Sequence, residues 1–444
     1  GTAETTVDNV LSRLSLNGVI SDPNGGRVTL PVAGAATSVD SAQLAIDFGG
    51  TGSSDWSSTL SVAGFSTTDF AADAASLTIG GVAENLSDPT TRRVTFNGDG
   101  TLSGITATEE VEAALGDSID LGIAGLWSAG EPVQLAQFRV AGEALTAALA
   151  GEISGLDFEG TIDVETDIIA PFSGLAGREL TGALSLNATG RLMPLTGGFD
   201  LQLDGTGTDL AISEEVADRL LAGTVDLSGR VARTEAGITA DDFRLANPQV
   251  QLTADGTYSN ALADFGFNLD LADLALLSEE ASGALAVAGT AKTGDEGQVL
   301  LDLTARVPQG QLGGRSLADG ELRFNGNTLE GVLTGDINGS AMVQGYRAAL
   351  LAGVNLDAET QRLSDLSFEV AGTRISGALT RVVDTGLIDG SVDLAAPDVS
   401  LAAALLLQDA QGAINAQVQL SPDGETQSAQ LQGDVDGLVV NDIR

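Results

Sequence analysis

The chain has 444 residues, with 20 Lys and Arg against 62 Asp and Glu, a formal charge of −42, and neither His nor Cys. Those absences exclude Ser-His-Asp and Cys-His catalysis, the common zinc sites, disulfides and haem attachment. So negative a charge repels phosphate backbones and anionic lipid headgroups, yet 43% hydrophobic residues is too many for a disordered polyelectrolyte.

Gly supplies 57 residues and the aromatics only 4%, so the core is expected to be small and aliphatic. The longest apolar run, Leu401 to Leu407, falls far short of the roughly 18 residues of a membrane span. The sequence begins at Gly1 with no basic n-region or signal peptide, which suggests a soluble piece of a longer protein.

Period-2 alternation runs along the chain. In order, Phe199, Leu201 and Leu203 alternate with Asp200, Gln202 and Asp204, and Val225, Leu227 and Val231 with Asp226, Ser228 and Arg230. Phe265, Phe267, Leu269 and Leu271 follow, then Val299, Leu301 and Leu303, then Leu366, Phe368 and Val370, then Ile414, Ala416, Val418 and Leu420. Each run predicts a strand with one apolar and one wet face. Turns are expected at Pro23-Asn24-Gly25-Gly26, Asn97-Gly98-Asp99-Gly100, Asn325-Gly326-Asn327 and Pro422-Asp423-Gly424. Helical signal is short: Glu109 to Leu115, Leu401 to Leu407, and Glu214 to Leu221 with Ser213 as N-cap and Gly223 as stop. The fold class is therefore all-β and mostly antiparallel, with short helical interruptions.

A degenerate unit recurs: an acidic-apolar pair, a half-buried bend, then a Gly-led alternating strand. Copies start at Asp209-Leu210, Asp273-Leu274 and Asp398-Val399 and lead to Gly223, Gly283 and Gly412, with an earlier copy from Asp167-Ile168 to Gly182. No linker, charge block or Pro-rich stretch divides the chain. Residues 1–444 are accordingly expected to form a single elongated repeat region in which each unit meets only its neighbours, clearest over 167–444.

Segments such as Leu180-Thr-Gly-Ala-Leu-Ser-Leu-Asn-Ala-Thr-Gly190, with the repeated Gly-x-Leu-x-Leu-x-Gly strands and Asp-Leu-x-x-Leu pattern, resemble the translocation and assembly module (TamB) proteins of Gram-negative bacteria. These belong to the AsmA-like, bridge-like lipid transfer family. The resemblance covers most of the chain from about residue 150 onward and rests on texture, not on a unique signature. It implies a long β-sheet folded lengthwise into a taco-like half-pipe, apolar inside and polar outside. It also implies a periplasmic location with an inner-membrane anchor beyond this chain. Phospholipid acyl chains would be carried toward the outer membrane, with a TamA-like outer-membrane barrel as partner in outer-membrane protein assembly. No N-terminal anchor or barrel-contacting region can be matched here.

A sheet whose strands all carry one apolar face must cover that face, and acyl chains in a trough would do so as well as a second sheet. The expected groove lining is Leu201, Leu203, Val225, Leu227, Phe267, Leu269, Leu271, Leu301, Leu303, Phe368 and Val370. The bland alternative is a dry core, as in a structural or adhesive β-solenoid or autotransporter-like passenger. Outer-face acids Asp200, Asp204, Asp226, Asp270 and Asp302 read as a solvated surface that also blunts edge-to-edge aggregation.

The remaining motifs have ordinary readings. Asn97–Gly100 and Asp423-Gly424-Glu425 could offer oxygens to Ca²⁺ but lack EF-hand spacing, so turns are favoured. Glu109-Glu110, Glu214-Glu215 and Glu279-Glu280 sit at helical turns where early acids suit the dipole, not at a catalytic pair. Gly25-Gly26 and Gly313-Gly314 lack the context of a phosphate loop. Neither enzymatic activity nor a metal, cofactor or nucleic-acid partner is expected.

Overall fold

The computed structural model describes residues 1–6, 11–30, 37–49, 54–259, 262–405, 409–424 and 426–440. It is all-β and antiparallel, as the alternation requires, with 29 strands and a few helical turns among the described residues. The chain divides into two compact units, Gly1–Glu235 and Ala236–Arg444.

In the first unit Thr2–Thr5 pairs with Leu11–Ser21, which pairs with Ser41–Phe48. From there each strand pairs with the next in sequence, through Thr224–Thr234. The short strands Val28–Leu30 and Thr37–Val39 form a side branch. In the second unit the meander runs from Gly237–Ala246 to Thr426–Val440, with Ala281–Ser282 as a two-residue offshoot. Among the described residues, the first and last strands of neither unit pair with each other, so neither sheet closes into a barrel.

Every quoted alternating run falls in a strand. Phe199–Asp204 lies in Gly198–Ala211, Phe265–Leu271 in Ala263–Leu271, and Leu366–Val370 in Thr360–Val370. Two of the four turn signals do not turn. Asn97–Gly100 sits inside Arg93–Thr106, and Asn325–Asn327 inside Arg315–Leu329, whose hairpin comes at Glu330-Gly331 with φ of 51° and 83°. The glycines there serve close packing: a Cβ on Gly326 would lie 2.6 Å from the Phe324 ring. The flanking Asn325 faces the other way and donates to Asp302 Oδ2 at 3.2 Å. At Gly25 the turn forms, its N–H donating to Asp22 O at 3.0 Å, and Asp423 pairs with Thr426 across the last hairpin.

Helices form at Glu109–Leu115 and Glu215–Leu221, and Ser400–Leu405 covers the described part of the Leu401–Leu407 segment, whose residues 406–407 lie outside the described set. Ser213 does not cap. It takes φ 58°, Glu214 occupies the N-cap position, and Asp218 reaches back to accept from the Ile212 N–H at 2.7 Å. That acid, one turn into the helix, satisfies a donor of the chain leading in, and the helix itself has no side-chain cap.

The recurring unit has a common hydrogen bond. Backbone N–H groups of Ile169, Asp209, Leu274 and Val399 donate to the carbonyls of Gly182, Gly223, Gly283 and Gly412 at 2.8, 2.8, 2.7 and 2.9 Å. All four glycines have positive φ, between 82° and 119°, a region that costs L-residues. Because neighbouring strands alternate in direction, the interruptions after Arg93–Thr106, Asp157–Thr166 and Gly198–Ala211 fall on one rim of the first unit. Those after Ala263–Leu271 and Ile388–Ala396 likewise share one rim of the second.

Candidate functional site: an apolar sheet face and a cavity under a helix

Directly opposed residues of antiparallel strands share a face, so the pairing register tells what each face carries across a whole sheet. In the second unit one register row reads Leu245, Leu252, Leu269, Val287, Ala305, Leu322, Gly339, Leu350, Phe368, Ile375, Leu394, Ala416, Gly433. It crosses all thirteen main strands without a polar side chain. A second row, through Phe265, Ala291, Leu301, Gly326, Gly335, Val354, Leu363 and Leu379, is equally apolar. At about 4.8 Å per strand, such a row runs on the order of 58 Å along the sheet. The opposite face carries Asn268, Ala288, Thr304, Arg323, Asn338, Leu351, Ser367, Ser376, Asp393 and Gln417 in register, polar at every place but Ala288 and Leu351.

The first unit repeats the pattern. Gly18, Leu44, Leu60, Leu77, Gly100, Leu121, Val140, Ala147, Val164, Leu186, Gly205 and Leu227 form one row over twelve strands. Bulges do not break these rows, since the chain absorbs the extra residue at Asp242, Asp319 and Asp365, each with φ near 50°.

All eleven expected lining residues lie on these apolar faces. Leu269 and Phe368 belong to the same row; Leu301 lies in the second, while Phe267 and Leu303 both face Gly289. Val225 and Leu271 are buried, at 2% and 3% exposure, and the other nine are half-buried. Asp204, Asp226, Asp270 and Asp302 are exposed on the reverse face. Asp200 is half-buried in a two-pronged pair with Arg230, at 2.7 Å to Nε and 2.6 Å to Nη2, and the hydrogen bond from Arg230 lowers its pKa.

The sheet of the second unit also curls. Arg315 donates from Nε to the carbonyl of Leu405, on the helix Ser400–Leu405. That helix joins strands at least five places along the meander from Arg315–Leu329, about 24 Å away on a flat sheet. Under the helix lies a cavity of about 660 Å³ whose walls include the row residues Phe368, Ile375 and Leu394. Val370, Ile414, Val399, Ala403 and Leu405 complete much of it, with Glu280, Arg315 and Thr373 as its few polar members. Sequence reading found Phe368 and Val370 but missed the rest; Leu394 was visible in the alternation Val392-Asp393-Leu394, whereas Arg315 enters only through the curl.

Among the described residues no cluster of three metal-ligating side chains occurs, Asn97–Gly100 is strand, and Glu425 lies outside the described residues. The side chains of Glu109 and Glu110 lie outside them too, while Glu215 pairs with Arg219 at 3.5 Å. Among the described residues no helix is long and apolar enough to cross a membrane. No protein-family model and no curated protein matches this sequence.

Proposed function

We propose that this chain is a segment of a non-enzymatic lipid conduit of the TamB type, in the AsmA-like, bridge-like lipid transfer family. Its apolar face takes phospholipid acyl chains, and the whole protein moves lipid across the periplasm between the inner and outer membranes. A TamA-like outer-membrane barrel would be its partner in outer-membrane protein assembly.

The observation that carries this reading is the unbroken apolar row from Leu245 to Gly433, whose residues are mostly half-buried. A core in contact only with protein buries its large aliphatics fully, whereas Leu322, within the row, is 41% exposed. Each acyl methylene removed from water contributes about 0.8 kcal/mol, so a palmitoyl tail gains on the order of 10 kcal/mol. A row of Leu, Ala, Val, Gly, Phe and Ile holds no polar group to arrest the chain at one depth, which suits passage over storage. The acidic reverse face keeps anionic headgroups off the outside.

Photo-crosslinking in cells tests it. A photoreactive residue replacing Leu269 should capture labelled phospholipid while one replacing Asp270 should not. No capture at Leu269, Leu201 or Leu301 would overturn the conduit and favour a structural solenoid.

A further inference from the structure

The cavity beneath the helix Ser400–Leu405 differs from the rest of the apolar face. Elsewhere the rows are uniform; here Val399, just before the helix, and Ala403 and Leu405 within it, each no more than 8% exposed, wall a cavity with the row residues Phe368, Ile375 and Leu394. Its volume of about 660 Å³ falls within the ~300–1,000 Å³ of small-molecule sites. Taking a methylene as comparable to the ~30 Å³ share of a liquid water, it holds roughly twenty heavy atoms, one acyl chain and part of its linkage.

Two walls are charged, with opposite sign: Glu280, exposed, and Arg315, half-buried. Among the described residues neither has an ion-pair partner. Arg315 spends Nη1 on Gly313 O at 2.7 Å and Nε on Leu405 O, which leaves the Nη2 end of its fork for a ligand. Glu280 is tied to the chain two residues before Arg315, since Gly313 N–H donates to Glu280 O at 2.7 Å. Thr373, a third wall, has a buried hydroxyl with no hydrogen-bond partner among the described residues, and an ester oxygen would supply one.

We propose that this cavity is a holding site for one acyl chain of a zwitterionic phospholipid, its phosphate at Arg315 and its ammonium at Glu280. The proposal rests on the conduit reading and adds a stopping point and a headgroup preference to it. A headgroup with phosphate alone meets Arg315 but leaves Glu280 facing an anion. An uncharged alkyl alcohol meets neither charge.

The experiment places a reporter tryptophan in the full chain, as Phe368→Trp in the cavity or Leu269→Trp in the open row, and titrates each with bromine-labelled acyl probes. Native Trp56 and Trp127 are subtracted using the parent chain. Lysophosphatidylethanolamine should quench Phe368→Trp saturably at one equivalent. Lysophosphatidylglycerol of the same chain length should bind roughly threefold more weakly, and Glu280→Gln should remove that difference. Arg315→Leu should weaken both phosphate probes by a similar factor and leave a brominated alkyl alcohol unaffected. Should Arg315→Leu lose its circular dichroism spectrum, Arg315→Gln, which keeps a donor for the Leu405 carbonyl but removes the charge, replaces it with the same expected weakening. Equal quenching by all three probes, indifferent to both substitutions, would overturn the headgroup assignment. Quenching of Leu269→Trp but not of Phe368→Trp would overturn the holding site while the conduit stands. Quenching of neither would overturn both.

Discussion

Phe267 sits opposite Gly289, and its ring fills the space a side chain there would need: a Cβ on Gly289 would stand 2.4 Å from Phe267 Cε1 and 2.6 Å from Leu303 Cδ2. The glycine is thus part of the apolar face, the hollow into which two larger residues lean. Gly125 under Phe96 repeats the arrangement in the first unit. Gly289→Val should destabilise the second unit by about 1–3 kcal/mol, the usual cost of overpacking, and Phe267→Ala should recover part of it. Urea titration of the single and double variants measures both terms.

Leu269 and Leu271 lie on one strand and one face, yet Leu269 is half-buried and Leu271 only 3% exposed. Leu269→Arg can lay its stem along the sheet with its charge in water, so stability should change by within about 1 kcal/mol while lipid capture is lost. Leu271→Arg buries an unpaired charge and should cost about 3–5 kcal/mol. Thermal melts of the two variants should therefore separate clearly, and equal unfolding by both would mean a dry interior.

Asp273 accepts from the N–H groups of Ala275 at 3.1 Å and Gly283 at 2.9 Å, and these bonds hold its carboxyl below the ordinary 3.8. Asp398 is lowered as well, by the side-chain and then the backbone hydrogen bond of Ser400. A carboxyl with a lowered folded-state pKa adds stability above its unfolded value of about 3.9, and that stability is lost as pH falls through the folded value. Melting temperature should therefore drop below about pH 4 in the parent chain and less steeply in Asp273→Asn, as circular dichroism melts between pH 2 and pH 6 would record.

Arg230 and Asp200 form the best-aligned ion pair on the reverse face, but their side chains are 53% and 39% exposed. Solvent screening limits such a pair, so Arg230→Ala should cost less than about 1 kcal/mol and the loss should shrink in high salt. Chemical denaturation at low and high ionic strength measures it.

Strand positions were legible because period-2 alternation is local: Phe265 to Leu271 announces its strand without reference to anything distant. Asn97-Gly98 and Asn325-Gly326 misled because glycine has two uses, turning the chain and making room for a ring such as Phe324, and the dipeptide does not distinguish them. The lining residues were legible as a face. The cavity was not, since Arg315 meets Leu405 only after the twist of several intervening strands has accumulated, and no short window contains that sum. The repeated glycines Gly182, Gly223, Gly283 and Gly412 were visible as a motif, but their shared role as acceptors emerged only from the geometry.

That all interruptions in a unit share one rim has a consequence for how such a molecule changes size. A strand leaving that rim must be followed by one returning to it, so material can be gained or lost only in down-and-up pairs. Removing the pair Val332–Val343 and Tyr346–Leu356, for instance, would set Leu322 beside Phe368 and leave the apolar row unbroken. The reach of the sheet is therefore adjustable in increments of two strands, about 9.6 Å each, without rewriting the sequence on either side.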